Sequence, residues 1–121
     1  MTRKIPRKIL MVDDEPEIVS IVWEFLTAKG FEVIKCVGGE KAIEVINHDK
    51  SIDLMVVDFR MPGVSGAEVL DELKKIQSDV PAIVLTGSLQ FAITSENVKA
   101  VLIKPIDLNE LLKNINDVLG A

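Results

Sequence analysis

The chain has 121 residues, a hydrophobic content of 48% and a formal net charge of −5. This length suits one domain with a substantial core, and the sequence lacks apolar runs of the roughly 20 residues that a membrane helix needs. The acidic balance argues against direct nucleic acid binding by this domain. The N-terminal residues lack a signal-peptide pattern, and the single cysteine, Cys36, cannot form an internal disulfide. We therefore expect a cytoplasmic protein without membrane contact.

Short apolar runs alternate with amphipathic segments along the whole chain. Such runs predict buried strands, and apolar residues that recur at helical spacing predict helices. The predicted strands cover residues 8–14, 31–37, 53–58, 81–87 and 100–103. The predicted helices cover residues 15–30, 40–48, 65–76, 88–99 and 107–119.

The predicted helices also carry local signals at their ends and on their faces. Pro16 suits a first helical turn, and Gly30 suits the residue just past a helix end. Two pairs have the spacing of a capping box: Ser65 with Glu68, and Asp107 with Glu110. The core-facing residues expected on the first helix are Ile18, Ile21, Val22, Phe25 and Leu26.

The alternation of strand and helix determines the expected fold class. Continuous apolar strands separated by amphipathic helices predict a parallel sheet with helices on both faces. Five strands fit the doubly wound α/β order 2-1-3-4-5, which is flavodoxin-like and uses right-handed crossovers. We expect a single domain over residues 1–121, with residues 1–6 as a loose N-terminal segment.

Polar side chains stand at the ends of four predicted strands. Asp13 and Asp14 end the first strand, Asp58 the third, Thr86 the fourth and Lys104 the fifth. In doubly wound sheets, ligands bind beyond the carboxyl ends of the strands, where the winding direction reverses. For the order 2-1-3-4-5 that point lies between strands 1 and 3. We therefore expect these five side chains to form one site.

The residue types at this edge indicate phosphoryl chemistry with a divalent cation. Clustered carboxylates repel one another, and oxygen ligands without His or Cys favour Mg²⁺, with Mn²⁺ as the second choice. A hydroxyl from Thr86 and a positive charge from Lys104 suit an anionic phosphoryl group. Asp58 can act as the nucleophile without a general base, because a carboxylate is ionised at pH 7.

Four stretches of sequence carry a resemblance to a known family. They are "ILMVDDE", "DLMVVDFRMPGVSG", "IVLTG" and "LIKP", and with them the chain resembles the receiver domain of two-component response regulators over nearly its whole length. The resemblance implies that Asp58 accepts a phosphoryl group from a histidine kinase or a phosphotransfer protein. It also implies that Asp14, Asp58 and the main-chain carbonyl of Arg60 hold Mg²⁺ directly, while Asp13 acts through water.

The same resemblance implies roles for residues around the acceptor. Thr86 would bond the phosphoryl group and move with it, Lys104 would pair with it, and the Lys104–Pro105 peptide bond would be cis. Arg60 and Ser88 occupy the positions that tune hydrolysis of the phosphoryl group. A receiver catalyses only its own phosphorylation and dephosphorylation, and it then changes its binding to an output partner or a fused effector domain.

The sequence departs from the receiver pattern near the fifth predicted strand. Receivers usually carry Tyr or Phe three residues before the lysine, where this chain has Val101, and the chain contains no tyrosine. The interval from Thr86 to Lys104 is 18 residues (104 − 86), which is shorter than in most receivers. Because Val101 has no ring to swing inward, we expect the response to phosphorylation to stay local to residues 86–92.

Other functions of the same sheet edge remain open on the residues alone. A Mg²⁺-dependent phosphatase of the haloacid dehalogenase type also uses a strand-end aspartate, but it needs a second one where this chain has Arg60. A flavodoxin-like carrier would need a phosphate-cradling loop in place of "DDEPE". A receiver fold could also serve as a scaffold without phosphorylation, or as a phosphate sink without a conformational output.

Overall fold

The structure is a computed structural model that describes residues 6–88 and 95–120. Its strands are β1 (Lys8–Asp13), β2 (Glu32–Val37), β3 (Leu54–Asp58), β4 (Ala82–Thr86) and β5 (Val98–Ile103). Its helices are α1 (Pro16–Ala28), α2 (Gly39–His48), α3 (Gly66–Ile76) and α4 (Leu108–Leu119). Of the N-terminal segment expected to be loose, residues 1–5 lie outside the described residues.

The five strands form one parallel sheet in the order β2-β1-β3-β4-β5, which confirms the predicted topology. All residues of β3 and β4 are buried, because helices cover both faces of the sheet and neighbouring strands cover both edges of these two. Continuous apolar sequence is therefore required there. The pairs Asp13 with Val37, Asp58 with Leu85 and Thr86 with Ile103 align the carboxyl ends of the strands.

Two separate hydrophobic cores pack against the two faces of the sheet. One lies under α2 and α3, where Ile46, Val69 and Leu73 are fully buried. The other lies under α1 and α4, where Leu26 and Ile115 are fully buried. Within residues 6–88 and 95–120, none of the helices combines the length and the apolar character that crossing a lipid bilayer requires.

The helix ends follow the local signals with one difference. Pro16 is the first residue of α1, and Gly30 follows its end with a φ of 95°. Ser65 and Glu68 form the predicted reciprocal capping box of α3. In α4, however, Asp107 Oδ1 accepts the backbone N–H groups of Asn109 and Glu110, so a single carboxylate caps the helix in place of the reciprocal pair.

The predicted core face of α1 was wrong at one position. Ile21 is 51% exposed, whereas Val19, Val22 and Leu26 are buried. Successive residues of an α-helix are rotated by about 100°, so Ile21 lies well around the helix from Val22. Residues at 19, 22 and 26 share one face, and that face contacts the sheet.

The predicted helix over residues 88–99 was wrong where the structure describes it. Residues 89–94 lie outside the described part of the chain, residues 95–97 form a turn, and β5 already begins at Val98. Asn97 explains the early start of the strand. Its side-chain amide donates to the carbonyls of Ser78 (3.2 Å) and Val80 (2.6 Å), and its own carbonyl accepts the Ala82 N–H (2.7 Å). These bonds fix the chain beside β4, and pairing with β4 overrides the helical tendency of the local sequence.

Candidate functional site

Three carboxylates meet where β1 and β3 end side by side. Asp13 is the last residue of β1, Asp14 follows it, and Asp58 is the last residue of β3. One oxygen from each carboxylate lies within 4.8 Å of the others. Asp13 is fully buried and Asp58 is 5% exposed, so most of their charge is shielded from bulk water. The strand ends predicted to form a site therefore do come together.

Lys104 reaches this cluster from the end of β5. Its Nζ lies 3.2 Å from Asp13 Oδ2 and 3.3 Å from Asp58 Oδ2, so one ammonium group serves two carboxylates. The backbone N–H of Lys104 donates to the carbonyl of Thr86 (2.8 Å), which fixes the residue against β4. The peptide bond between Lys104 and Pro105 is cis, as the resemblance implied.

Burial and charge shift the pKa values of this cluster. Burial raises the pKa of Asp58 to about 6, and the negative charge of Asp13 adds to the rise while Lys104 opposes it. Asp58 thus remains mainly ionised at pH 7 despite the raised pKa. For Lys104, burial lowers the pKa, but hydrogen bonding and attraction to Asp13, followed by Asp58, outweigh it, so the pKa is raised. Lys104 is therefore a permanent cation in the site.

The donor atoms of the cluster fit a hard divalent cation. Asp13 Oδ2 is buried and faces the Lys104 ammonium at 3.2 Å. Its other oxygen accepts the Glu15 N–H at 3.0 Å, which orients the carboxylate. Three carboxylates facing one ammonium leave an excess of negative charge. Oxygen donors of this kind suit Mg²⁺ or Mn²⁺ rather than zinc.

Thr86 ends β4 at the same edge, but its hydroxyl is engaged elsewhere. Thr86 Oγ1 donates to the carbonyl of Ser88 (2.9 Å) and accepts the Ser88 N–H (3.3 Å). The side chain is 3% exposed. In this state the hydroxyl therefore bonds its own loop, and it must exchange these partners before it can donate to a ligand on Asp58. Arg60 is exposed, two residues beyond Asp58.

Comparison with known proteins decides the family. The sequence profile of the response regulator receiver domain matches residues 9–116. The chain belongs to this family. As a receiver domain it is a phosphorylation-controlled signalling switch, and the phosphatase and carrier alternatives are not favoured.

Relatives and solved structures agree with this assignment. The transcriptional regulatory protein GlrR of Escherichia coli K12 is 34% identical over 118 residues, which cover 94% of this chain and 26% of GlrR. The chain thus spans about a quarter of that relative. A response regulator receiver domain protein from Clostridium thermocellum superposes with a TM-score of 0.86 at 32% identity, covering 94% of both chains. The response regulator TrrA of Thermotoga maritima, solved in complex with Mg²⁺ and BeF, gives 0.82 at 31% identity, covering 93% of this chain and 98% of TrrA.

Val101 lies on the opposite side of the receiver sheet from α1. It is half-buried and packs against the core under α2 and α3. It pairs with Val84 of β4. Because Val101 has a single χ angle and no ring, it cannot swing inward as the aromatic side chain usual at this position in receivers would.

Sequence reasoning missed two features of the receiver site. Gly66 ends the quoted stretch "DLMVVDFRMPGVSG", but its structural role was not predicted: it is the buried first residue of α3, and its N–H donates to the carbonyl of Phe59 (2.9 Å). A Cβ there would clash with the backbone of Asp58 and Phe59, so glycine is required directly behind Asp58. Ile21, displaced from the predicted core, lines an apolar groove of about 340 Å³ that Lys104 shares.

Proposed function

We propose that Asp58 is the residue of this receiver domain that accepts the phosphoryl group. One observation carries the proposal. Asp58 is an ionised carboxylate at the end of β3, with the Lys104 ammonium 3.3 Å away and two further carboxylates beside it. The donor is a phosphohistidine on a histidine kinase or a phosphotransfer protein. The Asp58 oxygen forms a bond to phosphorus as the bond from phosphorus to the donor imidazole breaks, and no general base is needed.

The residues around Asp58 would bind the metal ion and the phosphoryl group. Asp14, Asp58 and the carbonyl of Arg60 would hold Mg²⁺ directly, and Asp13 would do so through water. Mg²⁺ supplies charge neutralisation for the phosphoryl oxygens when bound. Lys104 pairs with a phosphoryl oxygen once Asp58 has reacted, because the Asp58 oxygen that it faced has become part of an acyl phosphate.

Thr86 converts the modification into a change of shape. Its hydroxyl leaves the carbonyl of Ser88 and donates to the phosphoryl group, so the loop after β4 must rearrange. A ligand shifts an equilibrium only through contacts that differ between the two states, and Thr86 and Lys104 supply those contacts here. Arg60 and Ser88 stand beside the group and tune its hydrolysis by water.

The rearranged loop changes binding to an output partner or to a fused effector domain. The chain spans about a quarter of GlrR, and relatives of that length have room for an effector. The domain itself acts on no substrate other than its own phosphoryl group, and we place this activity in the cytoplasm.

Intact-mass measurement tests the assignment of Asp58. Incubation with acetyl phosphate and Mg²⁺ should add one phosphoryl group to the native chain and none to Asp58→Asn. Asp71→Asn, which makes the same chemical change at an exposed position of α3, serves as the control and should be modified normally. An undiminished adduct on Asp58→Asn would refute the assignment.

A further inference from the structure

Two consecutive glycines lie close to the carboxylate site: Gly38 connects β2 to α2, and Gly39 is the first residue of α2. We propose that Gly39 is a positioning residue that sets the loop following Asp58, and with it the carbonyl of Arg60. The proposal rests on the function proposed above. The contacts of these glycines join both sides of the site.

Gly39 touches the loop between β3 and α3 too closely for any side chain. It is buried, and a Cβ built on it would lie 2.5 Å from the Val64 carbonyl oxygen, 2.8 Å from Val64 Cγ1 and 2.9 Å from Val64 Cβ. A backbone carbonyl cannot yield by changing rotamer. Relief to an ordinary contact distance therefore requires the loop and α2 to separate by roughly 1 Å at this point.

Gly38 joins the same segment to the other side of the site. Its N–H donates to the carbonyl of Asp13 at 2.9 Å, and its φ of 98° with ψ of 157° is a conformation that side chains disfavour. The start of α2 is thereby fixed to the end of β1 while it contacts Val64. The two glycines thus hold the Asp13 strand end and the loop after Asp58 at a set separation.

Backbone hydrogen bonds hold the loop at other positions, so a displacement of Val64 would also displace its neighbours in the loop. The Phe59 N–H donates to the carbonyl of Leu85 (2.8 Å), and the Phe59 carbonyl accepts the N–H of Gly66 (2.9 Å). Arg60 lies between Phe59 and Val64 in this loop. Mg²⁺ demands near-octahedral ligands at about 2.0–2.1 Å, so a displacement approaching 1 Å at the loop is large compared with that tolerance.

The experiment compares Mg²⁺ binding by Gly39→Ala with a variant of similar stability loss that lies far from the site. Ile115→Ala removes buried side-chain volume from α4 on the opposite face of the sheet and serves as that control. NMR titration with MgCl₂, at concentrations of folded protein matched by denaturation curves, should give at least a tenfold weaker affinity for Gly39→Ala and a native affinity for Ile115→Ala. Apart from the residues next to position 39, amide shifts between variant and native protein should be largest from Arg60 to Val64.

A second variant keeps the test decisive if Gly39→Ala does not fold. Gly39→Ala combined with Val64→Gly removes two of the three close contacts and leaves the contact of 2.5 Å with the Val64 carbonyl oxygen, so it should fold and bind Mg²⁺ more weakly than Val64→Gly alone. Native affinity in a folded Gly39→Ala, or an affinity of the double variant equal to that of Val64→Gly when Gly39→Ala does not fold, overturns the positioning role if Asp14→Ala binds weakly. If Asp14→Ala also binds Mg²⁺ with native affinity, the proposed metal ligands are wrong, and the positioning role of Gly39 fails with them.

Discussion

At the scale of single residues, Asp58 is held in a conflict between its charge and its burial. The carboxylate is 5% exposed, faces Asp13, and has a pKa raised from 3.8 to about 6. The positive charge of Lys104 offsets only part of this rise in the pKa of Asp58. The metal-free protein therefore carries an electrostatic cost at neutral pH, and the proposed role of Asp58 as nucleophile requires the ionised form that bears this cost.

This conflict predicts a pH-dependent effect of Asp58→Asn on stability in a chelating buffer. Below pH 3.8 Asp58 is protonated in both the folded and unfolded states, so the substitution should change the free energy of unfolding little. Between pH 3.8 and about 6 the unfolded state has lost the proton while the folded state keeps it, so the native chain loses stability as the pH rises and the variant should become the more stable of the two. A shift of about two units corresponds to at most about 3 kcal/mol. Urea denaturation at pH 4 and pH 8 measures the effect; an equal difference at both would contradict it.

Asp14 provides the test of the proposed metal ligands. Asp14→Ala should weaken Mg²⁺ binding at least tenfold, which corresponds to about 1.4 kcal/mol, because it removes one of the three clustered carboxylates. Calorimetric titration of the native and variant proteins gives the ratio. Equal affinities would remove Asp14 from the metal site.

Arg60 should affect the lifetime of the phosphoryl group rather than its formation. The side chain is exposed two residues beyond Asp58, where it can alter the access of water. Arg60→Ala should change the dephosphorylation rate, in either direction, while the yield with acetyl phosphate stays normal. Decay is followed by intact mass after removal of the donor. Superimposable decay curves would argue against this role.

The site residues differ in how readily sequence reveals them. Asp13, Asp58 and Lys104 could be predicted because parallel strands bring their carboxyl ends to one edge of the sheet. The role of Gly39 could not, because its constraint is a contact with Val64 that no local pattern encodes. Composition indicates a flexible residue there, whereas the structure shows a close approach of two backbones.

At the scale of elements, the loop after β4 is the part expected to respond to phosphorylation. Hydrogen exchange with beryllofluoride and Mg²⁺ should show increased protection across residues 86–92, of which 89–92 lie outside the described part of the chain. Residues 100–103 should change little, because Val101 already packs on the core. Thr86→Ala, which removes the hydroxyl, should abolish the response.

The pattern of exchange also distinguishes the alternatives. If the largest change fell on residues 100–103, coupling would run through β5 despite the missing aromatic residue. If exchange stayed unchanged beyond the acidic cluster, the domain would act as a phosphate sink without a conformational output.

The elements themselves were predictable where local pattern and tertiary packing agree. The buried strands β3 and β4 and the capped helix α3 follow directly from apolar runs and the Ser65–Glu68 box. The start of β5 could not be predicted in this way, because it is determined by hydrogen bonds from Asn97 to Ser78 and Val80, which are distant in sequence. Helical spacing in the local sequence carries no information about such partners.

At the scale of the whole molecule, the doubly wound topology explains why a few side chains from distant parts of the sequence are enough to form the site. Strand order 2-1-3-4-5 places β1 beside β3 at the reversal point, so Asp13 and Asp58 become neighbours although they lie far apart in sequence. Both sheet faces are occupied by core, which leaves the carboxyl edge free for chemistry. The central claim is that this edge presents Asp58 alone as the phosphoryl acceptor.

Chemical trapping of the modified residue tests that claim most directly. The protein is treated with acetyl phosphate and Mg²⁺, reduced with borohydride and digested, and its peptides are sequenced by mass spectrometry. Hydride converts an acyl phosphate to an alcohol, so a phosphorylated aspartate appears as homoserine. We predict homoserine at position 58 alone, and none when Mg²⁺ is removed by a chelator. Homoserine at position 13 or 14, or an unconverted Asp58 in protein that carries the phosphoryl mass, would contradict the account.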